Sequence, residues 1–155
     1  MPIELPQRDP CPFCENLAGR VAADSDTIKK WAFVERQDLA AAFVNPFQIS
    51  HGAVLVVPTR HVPTILNLTE ADAESMARLV RRVAQAVYQA FDPIGLNIYQ
   101  NNGVASGQTI PHYHVHVVPR YPGDLPEILL GKDAVLISFE ARVQIAEEIA
   151  QHLPG

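Results

Sequence analysis

The sequence predicts an α+β fold, with a mainly antiparallel sheet covered by helices, on three observations. Short apolar or alternating runs recur at 31–45, 53–58, 96–100 and 112–119, each bounded by Gly, Pro, Asn or Asp. Between them, from Thr69 to Phe91, the apolar positions repeat every three or four residues instead. A weaker stripe of that second kind closes the chain. At 155 residues the length suits one domain around one core. Within it, 1–30 reads as an N-terminal arm, 31–120 as the core and 121–155 as a tail.

In chain order, the Pro-rich first dozen residues predict extended backbone. WAFVERQDLAAAFVN (31–45) predicts two strands around a turn near Gln37–Asp38, and NPFQISHG (45–52) a loop. AVLVVP (53–58) has the continuous apolar character of a strand buried on both faces. Thr69 with Asp72 three residues on is a capping box, and Met76, Leu79, Val80, Val83, Val87 and Phe91 form one helical stripe. Asp92–Pro93 and Gly95 stop it. LNIYQ (96–100) predicts a strand, NNGVASGQ (101–108) a glycine-bearing loop, and HYHVHVVP (112–119) another strand. Pro122, Gly123 and Pro126 mark a looped exit, and Phe139, Ala146, Ile149 and Leu153 a last amphipathic helix.

The net charge of −5 leaves no basic field for a polynucleotide, so nucleic acid is not expected as a partner. The N-terminus has no signal-like apolar segment, and no stretch approaches a membrane span, so the expected compartment is the cytoplasm.

Half of the six histidines stand in IPHYHVHVVPR, residues 110–120. In a strand, His112, His114 and His116 share one face while Tyr113, Val115 and Val117 face the core. Successive imidazoles then lie about 6–7 Å apart. Three such rings can hold a catalytic zinc with an open fourth position. Alternatively, one can attack phosphorus while its neighbours orient it and stabilise charge. The preceding QNNGVASGQT favours the second. Its glycine loop can point backbone N–H groups at phosphate oxygens, Gln108 and Thr109 add side-chain donors, and Arg120 stands near the far end of a polyphosphate.

GQTIPHYHVHVVPR resembles the signature of the histidine triad (HIT) superfamily, His-x-His-x-His-x-x with x apolar. NNG and GAVLVVPTRHV resemble the same family's flanking segments, so the likeness runs from about residue 11 to 120 in family order. It implies a HIT-like fold with about five antiparallel strands, one long helix and a C-terminal helix. It also implies a nucleotide hydrolase or transferase, usually homodimeric. In that likeness His114 attacks the α-phosphorus of a nucleoside phosphoramidate or dinucleoside polyphosphate. His116 contacts the phosphate, His112 stands first in the catalytic run, and water releases the nucleotidyl-histidine. Asn101, Gln108 and Thr109 fall where α-phosphate or bridging oxygens are held. Asn45 falls at the ribose-binding position, with Phe43 and Val44 near the base, although both also read as core. One departure stands out: many HIT proteins carry Gly-His where this chain has Gly52–Ala53. His51, two residues before Ala53, is the available substitute.

Cys11 and Cys14, the only cysteines, form one CxxC. Such a pair is redox-active when it opens a helix after a strand, but here no strand precedes it, which favours a closed zinc site needing two further ligands. HIT-like chains with this N-terminal CxxC resemble the zinc-bearing galactose-phosphate uridylyltransferases, and that resemblance implies His61, in PTRH, and His112 as the other two. A zinc there is structural. Three functions stay open: covalent catalysis at His114, a zinc hydrolase with the three triad histidines as ligands, and a nucleotide sensor without turnover.

Overall fold

The structure, a computed structural model, describes residues 2–21, 30–124 and 134–155. Pro126 of the expected exit, and 22–29 of the arm, lie outside the described residues. Five antiparallel strands form the main sheet in the order β1-β2-β4-β6-β5: Phe33–Arg36 (β1), Ala40–Val44 (β2), Val54–Pro58 (β4), Gly95–Gln100 (β5) and Val115–Arg120 (β6). Among the described residues, three α-helices accompany them, Pro12–Leu17 (α1), Glu70–Phe91 (α2) and Phe139–Gln151 (α3). Among the described residues, no helix is long and apolar enough to cross a membrane.

The centre of the sheet is buried on both sides, which is why β2 and β4 are apolar throughout rather than alternating. On one face Val44, Val54, Val56, Val115 and Val117 pack against Leu79, Val83 and Val87 of α2 and Ile145 and Ile149 of α3. On the other, Ala41, Phe43, Leu55 and Val57 meet Phe13 of α1 and Trp31. Ser138 caps α3 by accepting from the Ala141 amide at 3.1 Å. The helix also buries Arg142, whose guanidinium donates to the Lys30 carbonyl at 2.8 Å.

Three expectations need correcting. The strand expected at 112–119 pairs only from Val115 to Arg120. Its neighbour β4 ends at Pro58, which has no N–H to continue the ladder and turns its carbonyl to the His112 ring. The segment 112–114 stays anchored, since the Tyr113 amide donates to the Val62 carbonyl at 2.6 Å. The Pro-rich start is not extended to its end: Pro12, whose missing N–H costs nothing in a first turn, opens α1. The loop expected at 45–52 contains Phe47–Gln48 (β3), paired with Val135–Leu136 (β7) of the tail. A pairing across so much chain leaves no local signature. Within this turn Gly52 has φ +89°, and a β-carbon there would meet the Phe91 ring at 2.6 Å.

The capping box forms as expected: the Thr69 hydroxyl accepts from the Asp72 amide at 3.1 Å, and the Asp72 carboxylate accepts from the Thr69 amide at 2.9 Å. Arg60 closes on the same buried carboxylate, its Nε at 2.9 Å from Oδ2. Chiefly through Arg60, then Thr69, Asp72 is held down to about 2. Its folded pKa therefore lies below that of a free carboxyl. The stability it contributes is complete above about pH 4 and is lost as pH falls through 2. In thermal melts Asp72→Asn lowers Tm at neutral pH, and its gap from the wild type closes toward pH 2. Thr69→Ala costs about 1 kcal/mol in denaturant unfolding.

Candidate functional site

The His112, His114 and His116 rings lie on the face away from the long helix, as alternation requires, but they do not share one environment. His112 is wholly buried and its Nε2 faces the Pro58 carbonyl at 2.9 Å. A carbonyl only accepts, so Nε2 carries the hydrogen and Nδ1 holds a lone pair. That Nδ1 lies 3.7 Å from Cys11 Sγ and 3.6 Å from Cys14 Sγ, and Cys14 Sγ lies 3.3 Å from His61 Nδ1. The four ligand atoms are all within 4.8 Å of one another. A tetrahedral zinc with S and N ligands needs S···N edges of about 3.6 Å, so two thiols and two imidazoles at these separations fit the ion. His114 and His116 are not part of this cluster. The three triad rings therefore do not converge on a common metal position.

Cysteine placement depends on α1: Cys11 is its N-cap residue and Cys14 stands in its first turn. Burial, and then the hydrogen bond and charge of Cys11, push the Cys14 thiol up to about 12. A redox-active CxxC has the opposite shift.

His114 is 6 % exposed, and its Nδ1 donates to the His112 carbonyl at 2.7 Å. Burial keeps its pKa below the ordinary imidazole value, so the ring is neutral and Nε2 is the unprotonated nitrogen. His116 lies 5.0 Å from His114, ring to ring, with Tyr99 stacked on its other side at 4.3 Å and 6°. Burial, then the charge of His114, push His116 down to about 3. Its Nδ1 is buried with no hydrogen-bond partner among the described residues.

His114 and His116 open into a cleft of about 1190 Å³. Asn45, Phe43, Asn101 and Thr109 line it. Asn45 already accepts from the Phe47 amide at 3.0 Å, which shapes the turn after β2. Asn101 braces its loop when its amide is oriented to donate: the nitrogen is then 3.3 Å from the Gln100 and Ser106 carbonyls.

Four of the residues singled out in the sequence lie away from the cleft. Val44 faces the helices and is fully buried there, because it neighbours Phe43 on one strand and must point the opposite way. Gln108 is not at the cleft. Its amide accepts from the Gly103 amide at 2.6 Å and donates to the Pro63 and Ile110 carbonyls, so it holds the loop's shape. Arg120 donates to Asn97 at 2.8 Å and does not line the cleft either. His51 sits on the helical side, edge-on to Phe91 at 4.9 Å, and does not replace a support for the triad.

The residues sequence reasoning missed are the aromatic ones. Trp31 stacks on Phe43 at 3.5 Å and 6°, Phe13 stands edge-on to both, and Tyr99 covers His116, all of them lining the cleft. The one available signal for Phe13 was its position between the two cysteines.

Comparison with known proteins agrees with this geometry. The HIT domain family model matches residues 28–123. The chain is 34% identical over 111 residues to Protein hit of Bacillus subtilis, covering 72% of this chain and 71% of that one. It is 42% identical over 92 residues to the asymmetrical bis(5'-nucleosyl)-tetraphosphatase of Schizosaccharomyces pombe, covering 59% of this chain and half of that enzyme. A crystal structure of a Zn-bound histidine triad family protein from Mycobacterium smegmatis superposes with a TM-score of 0.70 at 26% identity, over 92% of this chain and 94% of that one.

A buried ring that refuses a proton is observable. The ring resonances of His116 show no titration between about pH 8 and 5 in an NMR pH series. The unfolded chain protonates His116 below about pH 6.5, so this residue's contribution to stability is lost as pH falls below that value.

Proposed function

As the chain belongs to the histidine triad (HIT) family, we propose that it is a nucleotide hydrolase or nucleotidyltransferase working through a nucleotidyl-His114 intermediate. The observation that carries this reading is the 2.7 Å hydrogen bond from His114 Nδ1 to the His112 carbonyl. It commits the hydrogen to Nδ1 and leaves the Nε2 lone pair free. In the first step that pair forms a bond to the α-phosphorus, and the leaving group departs with the electrons of its P–O or P–N bond. In the second, water attacks phosphorus and gives up a proton to solvent, the P–Nε2 bond breaks and its electrons return to the ring. Neutral His116 has one N–H to offer a phosphoryl oxygen, and Asn101 and Thr109 stand at the same cleft.

The cleft exceeds the usual volume of a small-molecule pocket. That favours a dinucleoside polyphosphate over a small phosphoramidate, in keeping with the name of the fission-yeast relative. Asn45 serves the ribose and Phe43 the base side of the cleft. Cys11, Cys14, His61 and His112 hold a structural zinc, whose role is to fix the His112 ring and tie α1 to the triad segment. A homodimer is also inferred, supported by the β5 edge with exposed Ile94 and Ile98.

Turnover is read on a panel of dinucleoside polyphosphates, nucleoside phosphoramidates and nucleotidyl sugars. His114→Ala lowers kcat by roughly a thousandfold or more, traps no nucleotidyl-protein, and leaves the zinc content at the wild-type level. Loss of zinc in that variant would favour the triad as a catalytic metal site. Nucleotide binding without turnover of any panel member would leave a sensor. Elemental analysis of the wild type gives about one zinc per chain, and Cys14→Ser removes it; metal-free protein with freely reactive thiols would refute the zinc site.

A further inference from the structure

We infer that Phe13 is a positioning residue through which metal occupancy of the Cys11–Cys14–His61–His112 cluster sets the affinity of the cleft for a nucleotide, an inference that rests on reading the cleft as a nucleotide site. Phe13 lies between the two cysteines in the first turn of α1. Its ring is buried and meets four others: Trp31 at 5.0 Å, His114 at 5.3 Å, and Phe43 and His112 at 5.6 Å. One side chain thus touches a metal-cluster imidazole, the candidate nucleophile and two aromatic residues of the cleft wall.

That position is not secured by the helix itself. α1 has six residues, far below the length at which a helix holds its own shape, and Cys11 makes no side-chain cap. The arm is anchored on either side of this turn. Upstream, the Glu4 carbonyl accepts from the Val104 amide at 2.8 Å, where a β-carbon on Gly103 would run into Ile3. Downstream, Asn16 accepts from the Trp31 amide at 3.0 Å, and Arg36 donates to the Leu17 carbonyl at 2.8 Å. Within the turn Asn16 also donates to the Pro12 carbonyl at 3.1 Å, and the side chains of the turn reach the rest of the fold through the cluster and the Phe13 ring. Removing the ion frees that one turn while the arm stays attached, and Phe13 loses its fixed place against Trp31 and His114. The rest of the wall cannot follow, because Phe43 and His116 are held by ladder pairs with Leu55 and Tyr99. Such coupling is reciprocal: whatever factor the metal adds to nucleotide affinity, the nucleotide adds to metal affinity.

Trp31, the only tryptophan, reports this wall directly. The experiment titrates AMP into the full-length zinc-loaded protein and into protein stripped with a chelator, following Trp31 fluorescence and calorimetry. Stripping weakens the AMP Kd about tenfold and red-shifts Trp31 emission, while AMP tightens zinc binding by the same factor. Phe13→Leu keeps an apolar side chain without the ring. It retains one zinc per chain, binds AMP more weakly when loaded, and shows less than about a twofold response to stripping. An unchanged AMP Kd and Trp31 spectrum on stripping would overturn the coupling while leaving the nucleotide site standing. A full response in Phe13→Leu would overturn the role of Phe13, and unfolding of the whole chain on stripping would replace local coupling by global stability. No AMP binding by loaded wild type would remove the nucleotide reading and this inference together.

Discussion

The architecture depends on one constraint, the two-residue alternation of the segment from His112 to Val117 between the helix-covered core and the face that carries the cleft. Tyr113, Val115 and Val117 complete the core under α2 and α3, so no other register keeps that core apolar. The same alternation delivers His112, His114 and His116 to the opposite face. A slip of one residue would bury three imidazoles under the helices and expose three core side chains. The ladder with β4 on one side and β5 on the other fixes this register from Val115 onward, and the Tyr113–Val62 hydrogen bond extends it back to the first two histidines.

From that common face the rings are set apart by backbone chemistry rather than by spacing. Pro58 ends β4 without an amide to offer, and its carbonyl takes the His112 ring, which turns Nδ1 to the cysteines. The carbonyl of His112 in turn takes the hydrogen of His114 Nδ1. One residue therefore serves the metal cluster with its side chain and the candidate nucleophile with its main chain. His116, beyond both, is half-buried between His114 and Tyr99 and stays neutral for want of solvation.

The N-terminal arm shares in this arrangement. Ile3 and Glu4 pack on the Gly103 loop, Cys11 and Cys14 approach His61 and His112, and Phe13 and Trp31 add to the wall that Phe43 begins. The cleft is accordingly a joint product of the sheet's exposed face and a segment far from it in sequence.

The sheet strands, the capped long helix, the helical tail and the histidine alternation were legible because each has a local period: two for 112–117, three to four for Met76 to Phe91. The CxxC with His61 and His112 was legible only through resemblance, since nothing in spacing brings residue 14 to residue 61. Parity along β2 separates the two residues that read both as core and as near the base: Phe43 turns to the cleft face and Val44 to the helices. Gln108 could not be told from a phosphate donor, because an amide's partners are chosen by the folded loop; here three backbone groups take it. The β3–β7 pair, the α1 turn and the aromatic wall were equally out of reach. By itself the sequence determined which residues share a face, because alternation and helical period are properties of the chain. Which of them meet was decided by tertiary structure, because contacts such as Phe13 on His114 join segments that only the closed sheet brings together.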